Sequence, residues 1–202
     1  MKLQRTTLIL MFLALSLTGF VYFFEIQGKP QREAIAAKQQ QLFTFKADQV
    51  QTFTVKTQEK TLTAERISAN KAGETNWLIK SPIQGQANEA SVVFLLEKLT
   101  TGKSDRTLSV PSSQRSDFGL DQPKATVELK LNDQKTHKFL LGKPDFSGNF
   151  LYAQVDPPEQ PTQTISVVLV PIEFKNAIDR PLAEWQNQTK PTQILDPRDS
   201  VK

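Results

Sequence analysis

The sequence predicts an α+β protein, with an N-terminal transmembrane helix followed by a body of antiparallel β-sheet and one or two packed helices. Three observations predict this class. Thr6–Phe24 holds nineteen residues without a charge. Several short stretches of the body alternate between apolar and polar residues, as half-buried strands do. In contrast, Asn88–Thr101 carries its apolar residues at helical spacing: Val92, Leu95, Leu96 and Leu99.

The uncharged segment Thr6–Phe24 has the length of a membrane span. At about 1.5 Å per residue it covers roughly 28 Å as a helix, close to the thickness of a bilayer core. The competing interpretation is a cleaved signal peptide, but bulky residues end the run where a peptidase needs small ones. Lys2 and Arg5 in the short stub before the span predict a cytoplasmic N-terminus. We therefore expect a single-pass signal-anchor protein whose body lies outside the cytoplasm, in the periplasm or a lumen.

The composition predicts one modest extracytoplasmic domain. The predicted organisation is a stub and anchor over residues 1–25, a juxtamembrane stalk over 26–41, an α+β domain over 42–188 and a flexible tail over 189–202. The chain has a net charge of +4 without a cluster of Lys or Arg, so we expect no binding to nucleic acid. It contains no cysteine, which excludes disulfides and thiolate metal sites.

The body divides into two similar halves. Strands from Phe53 to Lys80 precede the helix Asn88–Thr101, for which Asn88 is the predicted N-cap and Gly102 lies past the end. Strands from Ala125 to Val170 precede a short helix over Ile172–Ile178, with Pro171 in its first turn. This order suggests a degenerate β-β-β-α duplication. The predicted strands are a β-rich run over Val50–Val55, then Thr61–Ile67, Trp77–Lys80, Arg106–Val110, Ala125–Leu131, His137–Leu141, Phe150–Val155 and Ile165–Val170.

Loops and turns separate these strands. Ser81-Pro82 ends one strand because proline cannot donate to a sheet ladder. Pro111–Ser116 is predicted to be a loop, followed by the turn Phe118-Gly119-Leu120-Asp121-Gln122-Pro123, in which the glycine suits a positive φ.

The body resembles a known family. The features that carry the resemblance are the N-terminal span, Leu42–Phe45, Trp77–Pro82, Val92–Leu99, the turn Phe118–Pro123, and the pair Phe139–Gly142 and Phe150–Tyr152. Together they resemble the domain of unknown function family 4340, over Leu42 to about Ile178. The resemblance implies a membrane-anchored bacterial envelope protein, and some members are similar to auxiliary components encoded near ABC transporters of the gliding-motility type. The family has no established catalytic residues. Phe118 stands where a tyrosine is commoner in the family, so this chain lacks a hydroxyl at that position.

Four aromatic residues are the candidate binding residues. Phe146, Phe150 and Tyr152 lie close enough in sequence to form an aromatic binding site. Trp185 follows Asp179 and Arg180, two residues that we expect to hold the C-terminal segment against the body. Trp185 itself has two open interpretations, which are a cover over the edge of the core and a contact with a partner.

No catalytic, cofactor-binding or metal-binding residue is predicted. His137 is the single histidine and is interpreted as an ordinary surface or edge residue of a strand. Asp117 and Asp121 flank a turn, where aspartates commonly cap backbone amides. No Asp-x-Asp-x-Asp calcium loop is present in the sequence.

Three functional hypotheses follow. The first is a non-enzymatic accessory or scaffold domain, held in the bilayer by Thr6–Phe24, that binds another envelope protein such as a component of an ABC transporter. The second is an extracytoplasmic binding module for a glycan, peptide or lipid. The third, with the least support, is a carboxylate-dependent enzyme. The first is favoured because a tether raises the local concentration near a membrane partner, so that weak contacts suffice.

Overall fold

The computed structural model describes residues 5–22, 40–67, 76–160 and 162–187. The chain forms two compact units, residues 1–41 and residues 42–202. In the first unit, helix α1 covers Arg5–Tyr22. The predicted stalk lies outside the described residues except for Gln40 and Gln41, and the predicted tail over 189–202 lies wholly outside them.

The predicted transmembrane helix is not supported by the described residues. Among them, we find no helix that combines the length and the apolar character needed to cross a membrane. Phe23 and Phe24, the last two residues of the predicted span, lie outside the described part of the chain.

The second unit is built on one sheet of nine strands in the order β4-β3-β2-β1-β6-β7-β8-β9-β5, and all paired neighbours are antiparallel. Two four-strand meanders, β1 to β4 and β6 to β9, meet where β1 pairs with β6. Strand β5 lies between them in sequence but pairs with β9 at the far edge. The strands are β1 Val50–Thr57, β2 Thr61–Arg66, β3 Trp77–Ser81, β4 Gly85–Gln86, β5 Arg106–Pro111, β6 Ala125–Leu131, β7 Thr136–Pro144, β8 Phe150–Val155 and β9 Thr164–Pro171.

Three helices belong to the core on one face of the sheet: α2 Glu89–Thr101, α3 Glu173–Ile178 and α4 Leu182–Trp185. Asn88 caps α2, because its side-chain oxygen accepts hydrogen bonds from the amides of Ala90 and Ser91 at 3.0 and 3.3 Å. The apolar side of α2 is buried in this core together with Phe53, Trp77 and Phe139 from the strands. Apolar residues spaced about 3.6 apart lie on one side of a helix, and this segment is helical because that side is buried in the core.

The opposite face of the sheet is divided between an apolar and a polar part. Near β5 and β9 a second cluster is buried, formed by Leu120, Leu140, Ile165 and Val167 with Leu108 and Val110 packed against it. Around β1, β2 and β6 the same face carries threonines and charged residues, including the Thr54–Thr63 hydroxyl contact at 3.1 Å and the Lys138–Glu128 ion pair at 2.9 Å. An antiparallel sheet with one buried and one solvated face requires this alternation.

The predicted α+β class with a large antiparallel sheet and few helices is confirmed. Two local expectations were wrong. A loop was predicted over Pro111–Ser116. Pro111 is instead the last residue of β5, and Ser112–Phe118 forms a 3-10 helix. Pro171 ends β9 instead of beginning a helix, and α3 begins at Glu173. The short elements β4 and α4 were not predicted. The suggested duplication stays a prediction.

Candidate interaction surfaces

Strand β5 forms an edge of the sheet, and no strand pairs with its outer side within the residues that the structure describes. Its register with β9 places Leu108 opposite Val167 and Val110 opposite Ile165. The same register places Ser112 opposite Gln163. The amide of Ser112 donates to the carbonyl of Gln163 at 2.9 Å, so Ser112 and Gln163 are a hydrogen-bonded pair of the ladder.

Hydrogen-bonded pairs alternate along an antiparallel ladder, so the register fixes which groups of β5 point outward. Arg106, Leu108 and Val110 direct their amides and carbonyls toward β9. Thr107 and Ser109 direct theirs away from the sheet. Pro111 lies in the same outward phase but has no amide hydrogen. The free edge therefore offers two donors, Thr107 and Ser109, flanked by their carbonyls.

A tight turn supports the sheet under this edge. Gly119 has φ +69°, the left-handed conformation that favours glycine, and a Cβ there would lie 2.9 Å from the amide nitrogen of Lys143. Phe118 packs edge-on against Tyr152 with ring centroids 4.9 Å apart, and Leu120 is buried. Gly142 lies directly beneath, because a Cβ on it would come within 2.2 Å of the Phe118 carbonyl oxygen. The turn thus rests on β7 and β8 without space for an additional methyl group.

A polar contact fixes the same turn. Gln154 is buried, and its side-chain oxygen accepts a hydrogen bond from Nη1 of Arg115 at 2.7 Å. Nε of Arg115 lies 3.3 Å from the Asp121 carboxylate. Arg115 therefore connects the 3-10 helix to β8 and to Asp121, the residue after Leu120. Asp121 was predicted to cap backbone amides, and its contact here is the ion pair with Arg115.

The other edge of the sheet is covered. Strand β4 has only two residues, and the chain after α4 runs along it. Gln186 bridges Ala87, and the amide of Asn187 donates to the carbonyl of Gln86 at 2.9 Å. The amide of Asn88 donates to the carbonyl of Trp185 at 2.7 Å, so the cover is joined to the cap of α2.

The turn between β7 and β8 presents Phe146, whose side chain is 100% exposed. Asp145 organises this turn. Its carboxylate accepts hydrogen bonds from the Ser147 hydroxyl at 2.9 Å and the Phe150 amide at 3.2 Å. Gly148, at φ +74°, donates its amide to the Asp145 carbonyl at 3.2 Å. The exposed ring therefore stands on a hydrogen-bonded loop.

The negative charge of the Asp145 carboxylate stabilises that loop, because the loop donates hydrogen bonds to the carboxylate. Desolvation alone would raise the pKa of its carboxyl, but hydrogen bonds from Ser147 and from the amides of Phe150, Ser147 and Gly148 together lower the pKa below its ordinary value of 3.8. A lowered folded-state pKa means that this stabilisation is present above pH 3.8 and is lost as the pH falls through the lowered value.

A groove of about 650 Å³ lies between the start of α2 and the segment around α4. The guanidinium of Arg180 lies 5.0 Å from the centroid of the Phe94 ring. Its Nη1 is 3.3 Å from the Glu184 carboxylate and 3.4 Å from the Ser91 hydroxyl. Its Nε is buried without a hydrogen-bond partner in the described part of the chain. The groove therefore combines an aromatic ring with a partly satisfied cation.

Asp179 and Arg180 hold the C-terminal segment against the body, as predicted. Nζ of Lys60 donates to the Arg180 carbonyl and lies 3.9 Å from the Asp179 carboxylate. Lys60 lies in the turn before β2, so these contacts connect the end of α3 to the first hairpin of the sheet.

The four candidate aromatic residues occupy different places. Trp185 is fully buried, with its ring centroid 5.9 Å from that of Phe53, so it covers the core as the first of its two interpretations proposed. Tyr152 is half-buried against Phe118, and Phe150 is half-buried at the start of β8. Phe146 is fully exposed and thus packs on neither of them. The open edge and the Arg180 groove were not predicted.

His137 has more partners than an ordinary edge residue. Its Nδ1 lies 2.7 Å from the Asp156 carboxylate, and its ring lies against Phe43 and Phe45, with centroids 5.6 and 4.8 Å away. The pair joins β7 to the end of β8 and covers the segment that enters the body. Among the described residues, no group of three or more histidine, aspartate or glutamate side chains is placed to hold a metal ion.

The comparison with known families found a match. A family model described as a domain of unknown function (DUF4340) matches residues 77–194, more than half of the chain. The chain belongs to this family. No curated protein and no solved structure matches it. The DUF4340 match begins at β3, so Leu42–Phe45 lies outside it.

Three of the motifs that carry the family resemblance meet at one place in the fold. The turn Phe118–Pro123 rests on Gly142 of Phe139–Gly142 and on Tyr152 of Phe150–Tyr152. The three segments also contribute to the apolar cluster against which Leu108 and Val110 of β5 pack.

Proposed function

We propose that this DUF4340 protein is a non-enzymatic accessory domain that is held at a membrane and binds another envelope protein. The observation that carries the proposal is the fully exposed Phe146 on the loop organised by Asp145. A rigid, exposed aromatic side chain loses little conformational entropy on binding, and such residues are frequent anchors of protein interfaces. A membrane or envelope protein with a pocket for one aromatic ring fits this feature.

The anchor is the second part of the proposal. It is supported by the nineteen uncharged residues of Thr6–Phe24 and by the exposed apolar side chains of α1, among them Met11, Phe12 and Phe20. We expect the N-terminus in the cytoplasm and the body in the periplasm or a lumen. N-terminal sequencing of the mature protein tests this directly, because a chain beginning near Gly19 or later would contradict an anchor.

The partner contact is tested by placing a photo-crosslinking residue at position 146 of the full-length chain in its native membrane. We expect crosslinks to a membrane or envelope protein, and we expect Phe146→Ser to abolish co-purification of that protein. Ile83→Ser is the matched control, because Ile83 is also an exposed apolar residue in a turn but lies between β3 and β4. Equal recovery of the same proteins with both serine variants would contradict the proposal.

The second candidate function is a binding module for a glycan, peptide or lipid, and the Arg180 groove favours it. Its volume lies within the roughly 300–1,000 Å³ of small-ligand sites, and its lining combines one aromatic ring with polar groups. Phe94→Ala should abolish binding of a synthetic peptide or glycan from a screened panel, whereas Val93→Ala should not, because Val93 is the exposed neighbour outside the groove lining. Equal binding by both variants would count against the groove.

A further inference from the structure

The outward groups of β5 are complementary to those of a second, antiparallel copy of β5. Consider two copies related by a two-fold axis through Leu108. Thr107 of each copy then lies opposite Ser109 of the other. Each of these two pairs exchanges two amide–carbonyl hydrogen bonds, so the ladder closes with about four bonds. Both outward amides of β5, those of Thr107 and Ser109, are thereby satisfied.

The two ends of the strand fit the same register. Asp105 comes to lie opposite Pro111 of the other copy. The amide of Asp105 already donates to the carbonyl of Leu169 at 2.9 Å, and Pro111 has no amide hydrogen. Neither residue therefore contributes an unpaired amide donor where the ladder stops.

The side chains are compatible with this pairing. Leu108 of one copy lies beside Leu108 of the other, on the face that carries the apolar cluster of Leu120, Leu140, Ile165 and Val167. The cluster would therefore continue across the two-fold axis. Arg106 lies opposite Val110, so like charges, which would destabilise a sheet, are not paired directly.

We propose that this protein forms a two-fold symmetric dimer through β5, with Leu108 on the axis and a continuous sheet across the two copies. The occupant of the open edge is a second copy of this chain, because the edge is self-complementary in hydrogen bonds and apolar contacts and places no like charges opposite each other. The interface is small, and confinement of both copies to one membrane would raise their effective concentration. The dimer does not depend on the Phe146 contact.

Cysteine crosslinking tests the register, since the natural chain has no cysteine. Leu108→Cys places two thiols in a non-hydrogen-bonded pair, where Cα atoms are about 4.5 Å apart and a disulfide can form. Val110→Cys is the matched control, because it replaces a neighbouring half-buried apolar residue of the same strand face. In the proposed register the two thiols introduced by Val110→Cys are offset by about four residues along the strand, roughly 13 Å.

The experiment uses the full-length chain in mild detergent with a gentle oxidant. We expect at least about a tenfold excess of disulfide-linked dimer for Leu108→Cys over Val110→Cys, because only the first pair lies within disulfide distance. Crosslinking of both variants, or of neither, would overturn the proposal. An independent measurement is the mass of the unmodified chain in solution, which should show a dimer that Ser109→Pro abolishes and Ser109→Ala retains. A monomer at all concentrations, or a dimer insensitive to Ser109→Pro, would equally overturn it.

Discussion

The two edges of the nine-stranded sheet differ in whether another part of the described chain covers them. The edge at β4 is two residues long and is covered by the segment after α4, through Gln186 and Asn187. The edge at β5 is six residues long, and its outward amides at Thr107 and Ser109 are free in the described part of the chain. Exposed edges invite pairing with other chains, and folded proteins commonly shorten or cover them. Within the described residues, only the edge at β4 is covered in this way.

The supports beneath the two edges also differ. The covered edge is held by one large apolar side chain, Trp185, which is buried near Phe53. The open edge is supported by close contacts between backbone and small residues, with the Phe118-Gly119-Leu120 turn resting on Gly142. The first arrangement depends on buried area and the second on the absence of side-chain volume. Substitutions should therefore weaken the two edges by different mechanisms.

Trp185→Ala should have the largest effect. Removal of this fully buried ring should lower the free energy of unfolding by about 3–5 kcal/mol, because the cavity and the lost contacts add. Urea unfolding followed by circular dichroism measures the change. Amide exchange at Asn88 should accelerate in parallel, since the amide of Asn88 donates to the carbonyl of Trp185 at 2.7 Å. Phe146→Ala is the control and should change stability by less than about 0.5 kcal/mol. A cost below about 1 kcal/mol for Trp185→Ala would mean that the cover is held by other contacts.

Gly142→Ala should destabilise the support of the open edge by about 1–3 kcal/mol, because one methyl group would overlap the Phe118 carbonyl. Thermal or urea unfolding measures the loss. Gly85→Ala is the matched substitution at the covered edge, where an added Cβ meets nothing within 4 Å, and it should be near neutral. Equal effects of the two alanines would contradict the difference in packing between the edges.

Arg115→Met should lower the free energy of unfolding by about 1–3 kcal/mol, a range similar to that for Gly142→Ala, by leaving the buried oxygen of Gln154 without its donor. The double variant Arg115→Met with Gln154→Leu should recover much of this loss, because neither partner then remains unsatisfied. The coupling energy from a double-mutant cycle on unfolding measures the contact. Additive losses would show that Arg115 acts on the turn through Asp121 alone.

The sequence predicted the elements whose patterns are local. Ala125–Leu131 alternates, and its four apolar residues are all buried. The apolar stripe Val92–Leu99 is likewise buried on one side of α2. The 3-10 helix Ser112–Phe118 could not be predicted this way, because its polar residues show no apolar period and its end is fixed by the contacts of Phe118 and Arg115. Elements as short as β4 and α4 have too few residues for a period.

The candidate surfaces were harder to predict than the strands. Sequence patterns identified β5 but not its position, because consecutive strands usually lie side by side, whereas β5 pairs with β9, which follows it only after three other strands. The open edge follows only from that pairing. Trp185 appeared in a polar context and was therefore a candidate for a partner contact, but the fold places it in the core. Phe146 stays a candidate residue, because a phenylalanine between Asp145 and Ser147 in a turn has no local apolar neighbours and is exposed in the fold.

Apart from the controls, Ser109→Pro should have the smallest effect on the folded chain. Proline removes an amide that points away from the sheet and is tolerated on edge strands, so the free energy of unfolding of the monomer should fall by less than about 1 kcal/mol. The adjacent Val110→Pro removes an amide that the register directs toward Ile165, and it should cost about 3 kcal/mol or more. Urea unfolding at protein concentrations low enough to keep the chain monomeric measures both variants. A large loss from Ser109→Pro would mean that the Ser109 amide is already used within the chain, and the edge at β5 would then be as protected as the edge at β4.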